Sequence, residues 1–512
     1  MFDFAQSSRR TFLVGAGRFA AASALTSIVP FPAAAKDGSH RIAASALKDL
    51  AGAVQGGVVL PDDPFFGDYV RPNNLRFRTL PTAIARCASE KDVQACVAWV
   101  RKHGARFAVR SGGHNYAGFS TTPGLLIDMT PLSAITALPG GDGLVKVGGG
   151  ALNSMVYQAL ERVNRTVTHG RCTTVGAAGF LLGGGIGFNM RMFGMGSDLL
   201  QATSIVTADG ALHSDIQESG AGSDLFWACR GGAGGNFGIN TSFTLRTFPV
   251  ETVTFFDITW TTDVDEVLHT LLTRLAEAPP EFGSKISVTK PARGSRSQQL
   301  TVSILGQLHK CNTTVEAIIG PVLEKASKKT IDRDMAYWPA QDLLSEFTYP
   351  YFYQEKSSYM KAADTTPEAV AAMVRLASRM PGTSMANAFK FFQVGGKVNA
   401  MPADATAYVH RGYDWLFSSE VNWWDRKDPK ALVDENLAWQ EMFYAAVNKA
   451  TKAAGAFQNF PDPSLKDWSN AYYGSNYAKL RQVKTDYDKA DLFTYRQSIK
   501  PLGTQPQGIR PS

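Results

Sequence analysis

The sequence predicts a two-domain α+β protein. A chain of 512 residues is too long for one small domain, and its 44% of hydrophobic residues can fill a large core. In the N-terminal half, glycine-rich turns separate short strand patterns from amphipathic helix patterns. Around Val250 the pattern changes to longer strands and helices with fewer glycines and more aromatic residues. We therefore place a domain boundary there.

The first strand–helix unit lies in TAIARCASEKDVQACVAWVRKHGARFAVRSGGH, after a predicted helix over 41–53. This stretch predicts a strand, a turn, a helix, a second strand and a glycine turn. The apolar residues of the helix recur every three or four positions and give it one buried face: Val93, Cys96, Val97 and Val100. Ser89, with Asp92 three residues later, is a candidate N-cap of this helix.

Further elements follow up to the domain boundary. GLLIDMTPLSAITAL and GLVKVGGGAL predict strands, and NSMVYQALERVN predicts a helix. SDLLQATSIVTADGALHSD ends in a predicted hairpin whose turn pair is Asp209-Gly210. NFGINTSFTLRTFPV alternates as a strand does, and YYGSNYAKLRQVKTDYDKADLF near the C-terminus predicts a helix followed by a polar turn.

The N-terminal segment has the parts of an export signal. Arg9 and Arg10 precede a modestly apolar, alanine-rich run that ends in PFPAAA. The twin arginine indicates the twin-arginine translocase, which exports folded proteins that have already acquired a cofactor. Arg18 interrupts the apolar run, which is shorter than the roughly 20 residues that a membrane span needs. We expect cleavage near Ala35, a periplasmic or secreted protein, and no stable membrane association.

Composition excludes several other classes. The net charge of +7 is mild and evenly spread, with no helix lined by Lys or Arg, so we expect no nucleic-acid partner. The five cysteines show neither zinc-site spacing nor a disulfide framework, and the eight histidines are scattered, so we expect no metal. Cys87 and Cys96 are nine residues apart along a predicted helix and are not expected to pair.

Two glycine-rich runs, VGAAGFLLGGGIGFNMRMFGMGSDLL and CRGGAGGNFG, predict a cofactor cradle. Glycines let the backbone approach a ligand and present N–H groups to phosphate. Flexible linkers lack the interleaved Leu, Ile, Phe and Met found here. The runs fit neither the dinucleotide-binding fingerprint nor the P-loop, so nucleoside triphosphates are not favoured.

These motifs together resemble a known family. RSGGHNYAGFS, GRCTTVGAAGFLLGGGIGFNMRMFGMGSDLL, GGAGGNFGI and the C-terminal YYGSNYAKLRQVKTDYDKADLF resemble the berberine bridge enzyme-like flavoproteins of the vanillyl-alcohol oxidase superfamily. The resemblance covers about residues 75 to 500, with the motifs in the family's order. It implies a PCMH-type FAD-binding domain and a substrate domain of antiparallel sheet backed by helices.

The resemblance also implies a flavin bound by two covalent bonds. In this family the histidine of SGGH is bonded to the 8α-methyl of FAD, and that position is His114. In the bicovalent subgroup a cysteine forms a second bond to flavin C6, and that position is Cys172 in GRCTTVG. An imidazole and a thiolate are both suitable nucleophiles for such bonds.

Other cofactor-binding positions are implied one by one. Beside His114, the residues expected around the FAD pyrophosphate and isoalloxazine are Arg110, Ser111, Gly112, Gly113, Asn115 and Tyr116. Those expected to line the same cleft are Gly176, Gly179, Gly183, Gly187, Asp198, Gly238 and Ile239. Tyr473 and Asn476 resemble residues of a C-terminal segment that returns to the flavin.

The catalytic base departs from the family pattern. Many relatives carry YxNY, whose last tyrosine deprotonates the substrate, but this chain has FQNF and ends the motif with Phe460. Phenylalanine has no proton to exchange. The replacement candidates are Gln393, Tyr116 and Tyr353, with Tyr351, Tyr359 and Tyr413 as further options.

The residue three positions after Cys172 implies that O₂ is the electron acceptor. In plant relatives, valine three residues after the flavin-linked cysteine accompanies oxidase behaviour, and that residue here is Val175. We therefore expect an enzyme that oxidises a small-molecule substrate and reduces O₂ to hydrogen peroxide. We expect the substrate to be a sugar, an oligosaccharide or a secondary-metabolite alcohol. An FAD-linked dehydrogenase with a non-oxygen acceptor, an amine or alkaloid oxidase, and a flavin-loaded binding protein remain alternatives.

We expect the protein to be a monomer or a homodimer. The sequence is predicted to divide into five segments. In chain order they are a twin-arginine signal, a short N-terminal segment, the FAD-binding domain, the substrate domain and a C-terminal segment that returns to FAD: 1–35, 36–75, 76–250, 251–456 and 457–502.

Overall fold

The structure is a computed structural model that describes residues 42–140, 143–346 and 348–503. The predicted export signal therefore lies outside the described residues. Helices α1 to α14 are, in chain order, Ala44–Ala53, Phe66–Val70, Glu90–His103, Asn153–Arg162, Ala177–Leu182, Met190–Phe193, Ser223–Ala228, Val264–Ala276, Val315–Leu323, Tyr337–Leu344, Pro367–Ser378, Lys430–Ala450, Trp468–Tyr473 and Tyr477–Asp488. Strands β1 to β18 are Val58–Val59, Ala83–Arg86, Phe107–Arg110, Leu125–Asp128, Ile135–Ala137, Leu144–Gly148, Arg165–Thr166, Leu200–Thr207, Leu212–Ile216, Gly238–Arg246, Phe248–Pro249, Val253–Trp260, Phe282–Lys290, Thr301–His309, Lys328–Met335, Phe352–Met360, Asn387–Gln393 and Trp415–Trp423.

Helix α3 forms where the apolar periodicity predicts it. Ser89 is its N-cap, and the Ser89 hydroxyl accepts a hydrogen bond from the backbone N–H of Asp92. Gly104 ends the helix with a φ of 59°, a conformation that glycine adopts without strain. Val93 and Val97 are buried against the first sheet. The predicted cap and buried face are confirmed.

The first sheet places a loop at its carboxyl edge. Its strand order is β1-β2-β4-β3, and β2, β4 and β3 are parallel. Ligands in parallel sheets bind outside the carboxyl ends of the strands. Strand β3 ends at Arg110, so the segment that begins at Ser111 leaves the sheet at this edge.

The second sheet is antiparallel, with the order β5-β6-β10-β8-β9. Strands β8 and β9 form the predicted hairpin, and Gly210 in its turn has a φ of 88°. The sheet and the helices around it share one large core, which includes Tyr157 of α4, Leu181 of α5 and Phe243 of β10.

The third sheet forms the base of the second domain. It is antiparallel, with the order β15-β12-β14-β13-β17-β18-β16. Helices α8, α9, α11 and α12 cover one face, where Leu271, Ile319, Val370 and Phe443 pack against strand residues such as Phe391. The predicted α+β fold, with an antiparallel sheet backed by helices, is confirmed.

The C-terminal helix α14 is held against the first domain by a buried lysine. The Lys484 ammonium donates to the Asp488 carboxylate at 2.6 Å and to the carbonyl oxygens of Asn236 at 2.8 Å and Phe493 at 2.7 Å. The side chains of Lys484 and Asp488 are fully buried. Removal of one partner from such a pair costs about 3–5 kcal/mol, because a buried charge is left unpaired.

The prediction that Cys87 and Cys96 do not pair agrees with the structure, but the helix that was expected to separate them does not contain Cys87. Helix α3 starts only at Glu90, so Cys87 lies at the end of β2 and the chain turns back over it. The two Sγ atoms are 3.7 Å apart, both thiols are buried, and they are not bonded. Among the described residues, no group of His, Cys, Asp and Glu side chains has the arrangement of a metal site. Within the same ranges, no helix is long and apolar enough to cross a membrane.

Candidate active site

A cavity of about 360 Å³ lies between the first domain, the third sheet and the C-terminal segment. Its walls come from loops that are far apart in the sequence. Residues 111–116 follow β3, residues 170–190 surround α5, and residues 233–240 lead into β10. Strands β16, β17 and β18 supply the opposite wall, and residues 457–461 supply a further side.

Two glycines allow two of these loops to touch. A Cβ atom at Gly112 would overlap the backbone nitrogen of Gly176, and a Cβ at Gly176 would overlap the backbone nitrogen of Gly112. Each position therefore needs glycine, because only a hydrogen atom fits between the two backbones. This contact brings the SGGH loop against the segment that follows Cys172.

Arg110 supports the SGGH loop from behind. Its guanidinium donates to the carbonyl oxygens of Ser120 at 2.9 Å, Tyr69 at 2.9 Å and Val70 at 2.9 Å. It is buried and does not line the cavity. Arg110, expected beside the flavin, instead holds the loop that lines the site.

His114 lies in the cavity as a neutral imidazole. Burial lowers the pKa of its ring to about 4, so the ring is uncharged at neutral pH. Its Nε2 atom is 2.9 Å from the Thr174 hydroxyl, which is 3.2 Å from the hydroxyl of Thr348. This chain fixes the orientation of the ring and joins it to the segment that carries Cys172, two residues before Thr174.

Cys172 lines the same cavity beside a group of buried charges. Burial, and then the charge of Glu346, raise the pKa of its thiol to about 11, while Arg171 and Lys390 act in the opposite direction. Glu346 is paired with Arg171 and with Lys285, whose ammonium is 3.1 Å away. The thiol is therefore protonated at neutral pH, and these cations favour its charged form when a base removes the proton.

Most of the predicted cofactor residues meet at this cavity. Those that line it are Ser111, Gly112, Gly113, His114, Asn115, Tyr116, Cys172, Val175, Gly176, Gly179, Gly187, Gly238, Ile239 and Tyr473. Their sequence positions span most of the first domain and the C-terminal segment.

Three further predicted residues do not line the cavity. The Asp198 carboxylate forms a two-pronged ion pair with Arg411, with both N–O distances 2.8 Å. The Asn476 amide donates to the carbonyl oxygens of Ala403 and Thr406. Gly183 packs against the Asn459 side chain, where a Cβ would overlap it. The structure gives these residues a role in holding the walls together.

The donor set fits an FAD molecule. Within the described residues, the buried hydroxyl of Ser111 has no hydrogen-bond partner, although it lies at the cavity wall beside Gly112. A buried hydroxyl without a partner is costly unless a ligand supplies one. A Cβ at Gly179, on the cavity wall, would meet no atom within 4 Å. A phosphate group accepts from hydroxyl and backbone N–H donors of this kind.

Aromatic rings form the part of the cavity nearest the third sheet. The Tyr116 ring centroid is 5.0 Å from that of Tyr353 and 5.1 Å from that of Phe460. The Tyr353 hydroxyl donates to Asn73 Oδ1 at 3.0 Å. Phe460 thus lines the cavity, where its ring offers packing and no proton exchange.

The structure does not bring Gln393 to the cavity. Side chains alternate along β17, so Lys390 and Phe392 line the cavity while Phe391 and Gln393 lie on the helix-covered face. The Gln393 amide accepts from Ser284 and donates to the carbonyl of Leu275 at the end of α8. Of the tyrosine options, Tyr351 also lines the cavity, whereas Tyr359 and Tyr413 pack together outside it.

Sequence reasoning missed the charged residues of the cavity wall, which are Arg171, Glu346, Glu355, Lys390 and Glu420. Glu355 on β16 is directly opposite Glu420 on β18, and Lys390 on β17 is paired with Glu420. All three line the cavity. The available signal was the alternation in YFYQEK, which places Glu355 on the same strand face as Tyr353 and Tyr351. The cross-strand neighbours need the strand register, which the sequence does not contain.

Comparison with known proteins agrees with this geometry. Residues 81–215 match the family profile of an FAD-binding domain, and residues 456–500 match the berberine and berberine-like profile. The uncharacterized FAD-linked oxidoreductase YgaK of Bacillus subtilis is 30% identical over 458 residues, which cover 87% of this chain and 97% of the relative. This chain belongs to the berberine bridge enzyme-like family of FAD-linked oxidoreductases.

The chain is also similar to two further proteins. The glucooligosaccharide oxidase of Sarocladium strictum is 27% identical over 462 residues, covering 84% of this chain and 89% of that protein. The solved structure of Physcomitrella patens BBE-like 1 shares 23% identity, covers 90% of this chain and all of that one, and superposes with a TM-score of 0.78. The second likeness shows that the two-domain fold is the same.

Gly112→Ala tests the contact between the two loops. The added methyl group overlaps the Gly176 backbone, so the loops must separate, at a cost of about 1–3 kcal/mol for overpacking. We expect purified Gly112→Ala to carry much less FAD per protein, measured from the flavin and protein absorbance. Gly52→Ala, where a Cβ meets no atom within 4 Å, is the control. Full FAD content in Gly112→Ala would show that the contact is dispensable.

Proposed function

We propose that this FAD-linked oxidoreductase holds its flavin by two covalent bonds and oxidises an alcohol carbon of a small molecule with O₂. The observation that carries the proposal is that His114 and Cys172 line one cavity, with His114 hydrogen-bonded to Thr174 beside Cys172. The neutral imidazole and the cysteine supply the two nucleophiles, and the Ser111 hydroxyl with the surrounding glycine loops supplies the diphosphate site.

The reaction balances with one alcohol and one O₂. FAD supplies a two-electron acceptor that takes the hydrogen of the substrate C–H bond as hydride and passes the electrons to O₂. The hydroxyl proton goes to a group of the protein, and the products are one carbonyl compound and one H₂O₂. Val175 lines the cavity three residues after Cys172, where a small side chain leaves room for O₂.

The substrate we propose is a sugar or oligosaccharide, with a secondary-metabolite alcohol as the second choice. The relative named glucooligosaccharide oxidase favours the first. Tyr116, Tyr351 and Tyr353 supply rings against which a sugar can stack, and the charged side chains of the wall supply hydrogen-bond partners for hydroxyl groups. A dehydrogenase with another acceptor, an amine or alkaloid oxidase, and a flavin-loaded binding protein are the alternatives that the experiments below separate.

Covalent attachment is tested by acid denaturation. We expect the intact mass of wild type to include FAD, His114→Ala and Cys172→Ala each to retain it through the remaining bond, and the double variant to lose it. Cys311→Ala, at a partly exposed cysteine outside the cavity, is the matched control. FAD that washes off denatured wild type would overturn the bicovalent proposal and leave the family assignment intact.

Oxidase activity is tested by peroxide release in air with cellobiose, maltose and coniferyl alcohol. We expect peroxide with at least one of them. Val175→Leu should slow flavin reoxidation by O₂ several-fold and leave anaerobic flavin reduction unchanged, because the larger side chain fills the space beside the flavin. Flavin reduction without peroxide would identify a dehydrogenase, and fluorescence quenching without reduction would identify a binding protein.

We further propose that the protein is exported by the twin-arginine translocase to the periplasm or the exterior. The proposal rests on Arg9, Arg10 and the weakly apolar run that follows them. A fusion of residues 1–40 to a folded reporter should be exported by cells with that translocase and retained by cells without it. Replacement of both arginines by lysine should abolish export, and export that continues would overturn the proposal.

A further inference from the structure

A buried carboxyl group of the cavity has no assigned task. Glu355 is 3% exposed, lines the cavity, and has one carboxylate oxygen without a hydrogen-bond partner among the described residues. A buried charge is normally paired, so a carboxyl left in this state is expected to exchange protons or to bind a ligand.

The groups around Glu355 come from four elements. Glu420 faces it from β18, directly across the strand pair, and Ser418 is on the same strand two residues earlier. Lys390 faces it from β17, Tyr353 precedes it by two residues on β16, and Tyr116 faces it from the loop after β3.

These neighbours form different contacts with the carboxyl groups of Glu420 and Glu355. Glu420 is paired with the Lys390 ammonium and accepts a hydrogen bond from the Tyr351 hydroxyl at 3.1 Å. The Lys390 ammonium, which faces the two carboxyl groups from β17, is therefore held by Glu420. Burial, opposed by Lys390, and the charge of Glu420 together raise the pKa of Glu355 to about 7, while the hydroxyls of Ser418 and Tyr116 favour its charged form.

Glu355 lies close to Phe460, the position at which many relatives carry the tyrosine that acts as base. Phe460 and Tyr116 are in ring contact, and Tyr116 is in turn beside Glu355, so the carboxyl group lies on the same side of the cavity as the ring that cannot exchange a proton. Burial and neighbouring carboxylates raise the pKa values of Tyr116 and Tyr353 well above the ordinary value, so neither hydroxyl is a ready base at neutral pH.

We propose that the Glu355 carboxylate is the base that accepts the hydroxyl proton of the substrate, in place of a tyrosine at position 460. This inference rests on the proposed alcohol oxidation. The O–H bond of the substrate breaks and its proton forms a new O–H bond on Glu355, while bound FAD would supply the two-electron acceptor for the hydride of the same carbon. Glu420, paired with the Lys390 ammonium, faces Glu355 and makes its carboxylate a stronger proton acceptor.

The first test measures the protonation of Glu355 without turnover. In the FAD-loaded protein we expect an infrared C=O band of a protonated carboxyl that disappears as pH rises through about 7. The band should be absent in Glu355→Gln and present in Glu435→Gln, a matched change at an exposed position of α12. A band that titrates unchanged in Glu355→Gln would overturn the assignment, even if the proposed oxidation itself fails.

The second test follows anaerobic flavin reduction by whichever of cellobiose, maltose or coniferyl alcohol releases peroxide. A base must be deprotonated, so the rate should rise with pH through about 7 in wild type. Glu355→Gln should lose this rise and fall by about 10²–10⁴-fold, the usual contribution of a general base. Glu355→Asp should retain the pH dependence at a lower rate. Wild-type rate and pH profile in Glu355→Gln, with FAD content unchanged, would overturn the proposal.

Discussion

The site depends on the contact between the backbones at Gly112 and Gly176. These residues follow different strands and are separated by the whole of β4 to β7, yet each occupies space that the Cβ of the other would need. The contact places His114 and Cys172 at one cavity, and the Thr174 hydroxyl then orients the imidazole. A side chain at either glycine would push the two loops apart, although neither glycine takes part in the chemistry itself.

The charged side chains of the cavity are constrained by a second requirement, because a buried charge needs a partner of opposite sign. Glu346 is held by Arg171 and Lys285, and Glu420 by Lys390. Burial alone would raise the pKa of Glu346, but the neighbouring cations bring it well below its ordinary value. Burial alone would lower the pKa of Lys390, but the neighbouring carboxylates bring it above. Among these carboxyl groups Glu355 is the one whose pKa is raised. Glu346 and Glu420 each have a cation as partner, whereas Glu355 has a raised pKa. A carboxyl group with a raised pKa among ion pairs is a candidate proton acceptor.

The sequence predicted the parts of the site that depend on short motifs. The SGGH loop, Cys172 in GRC, and six glycines of the two glycine-rich runs do line the cavity, because each is placed by a turn within a few residues of its own position. Helix α3 and the hairpin at Asp209-Gly210 were predicted for the same reason. Arg110, Asp198 and Asn476 were assigned to the cofactor, but their side chains have backbone or arginine partners behind the walls. A motif indicates that such a residue matters, but it does not distinguish contact with the ligand from support of the wall.

The prediction of Gln393 as the catalytic base failed because a sequence motif does not contain the strand register. Gln393 differs from the cavity-lining Phe392 by one residue, and a shift of one residue moves a side chain to the opposite face of a strand. Glu355 and Glu420 are 65 positions apart in the chain and become neighbours only through the register of β16 and β18. That register places the carboxyl group on β16, an edge strand of the seven-stranded sheet that pairs with β18, whereas Phe460 lies on a loop. The pairing with β18 fixes the backbone at Glu355 and at the residues before and after it, so the position of this base needs less support from the substrate than that of a loop tyrosine would.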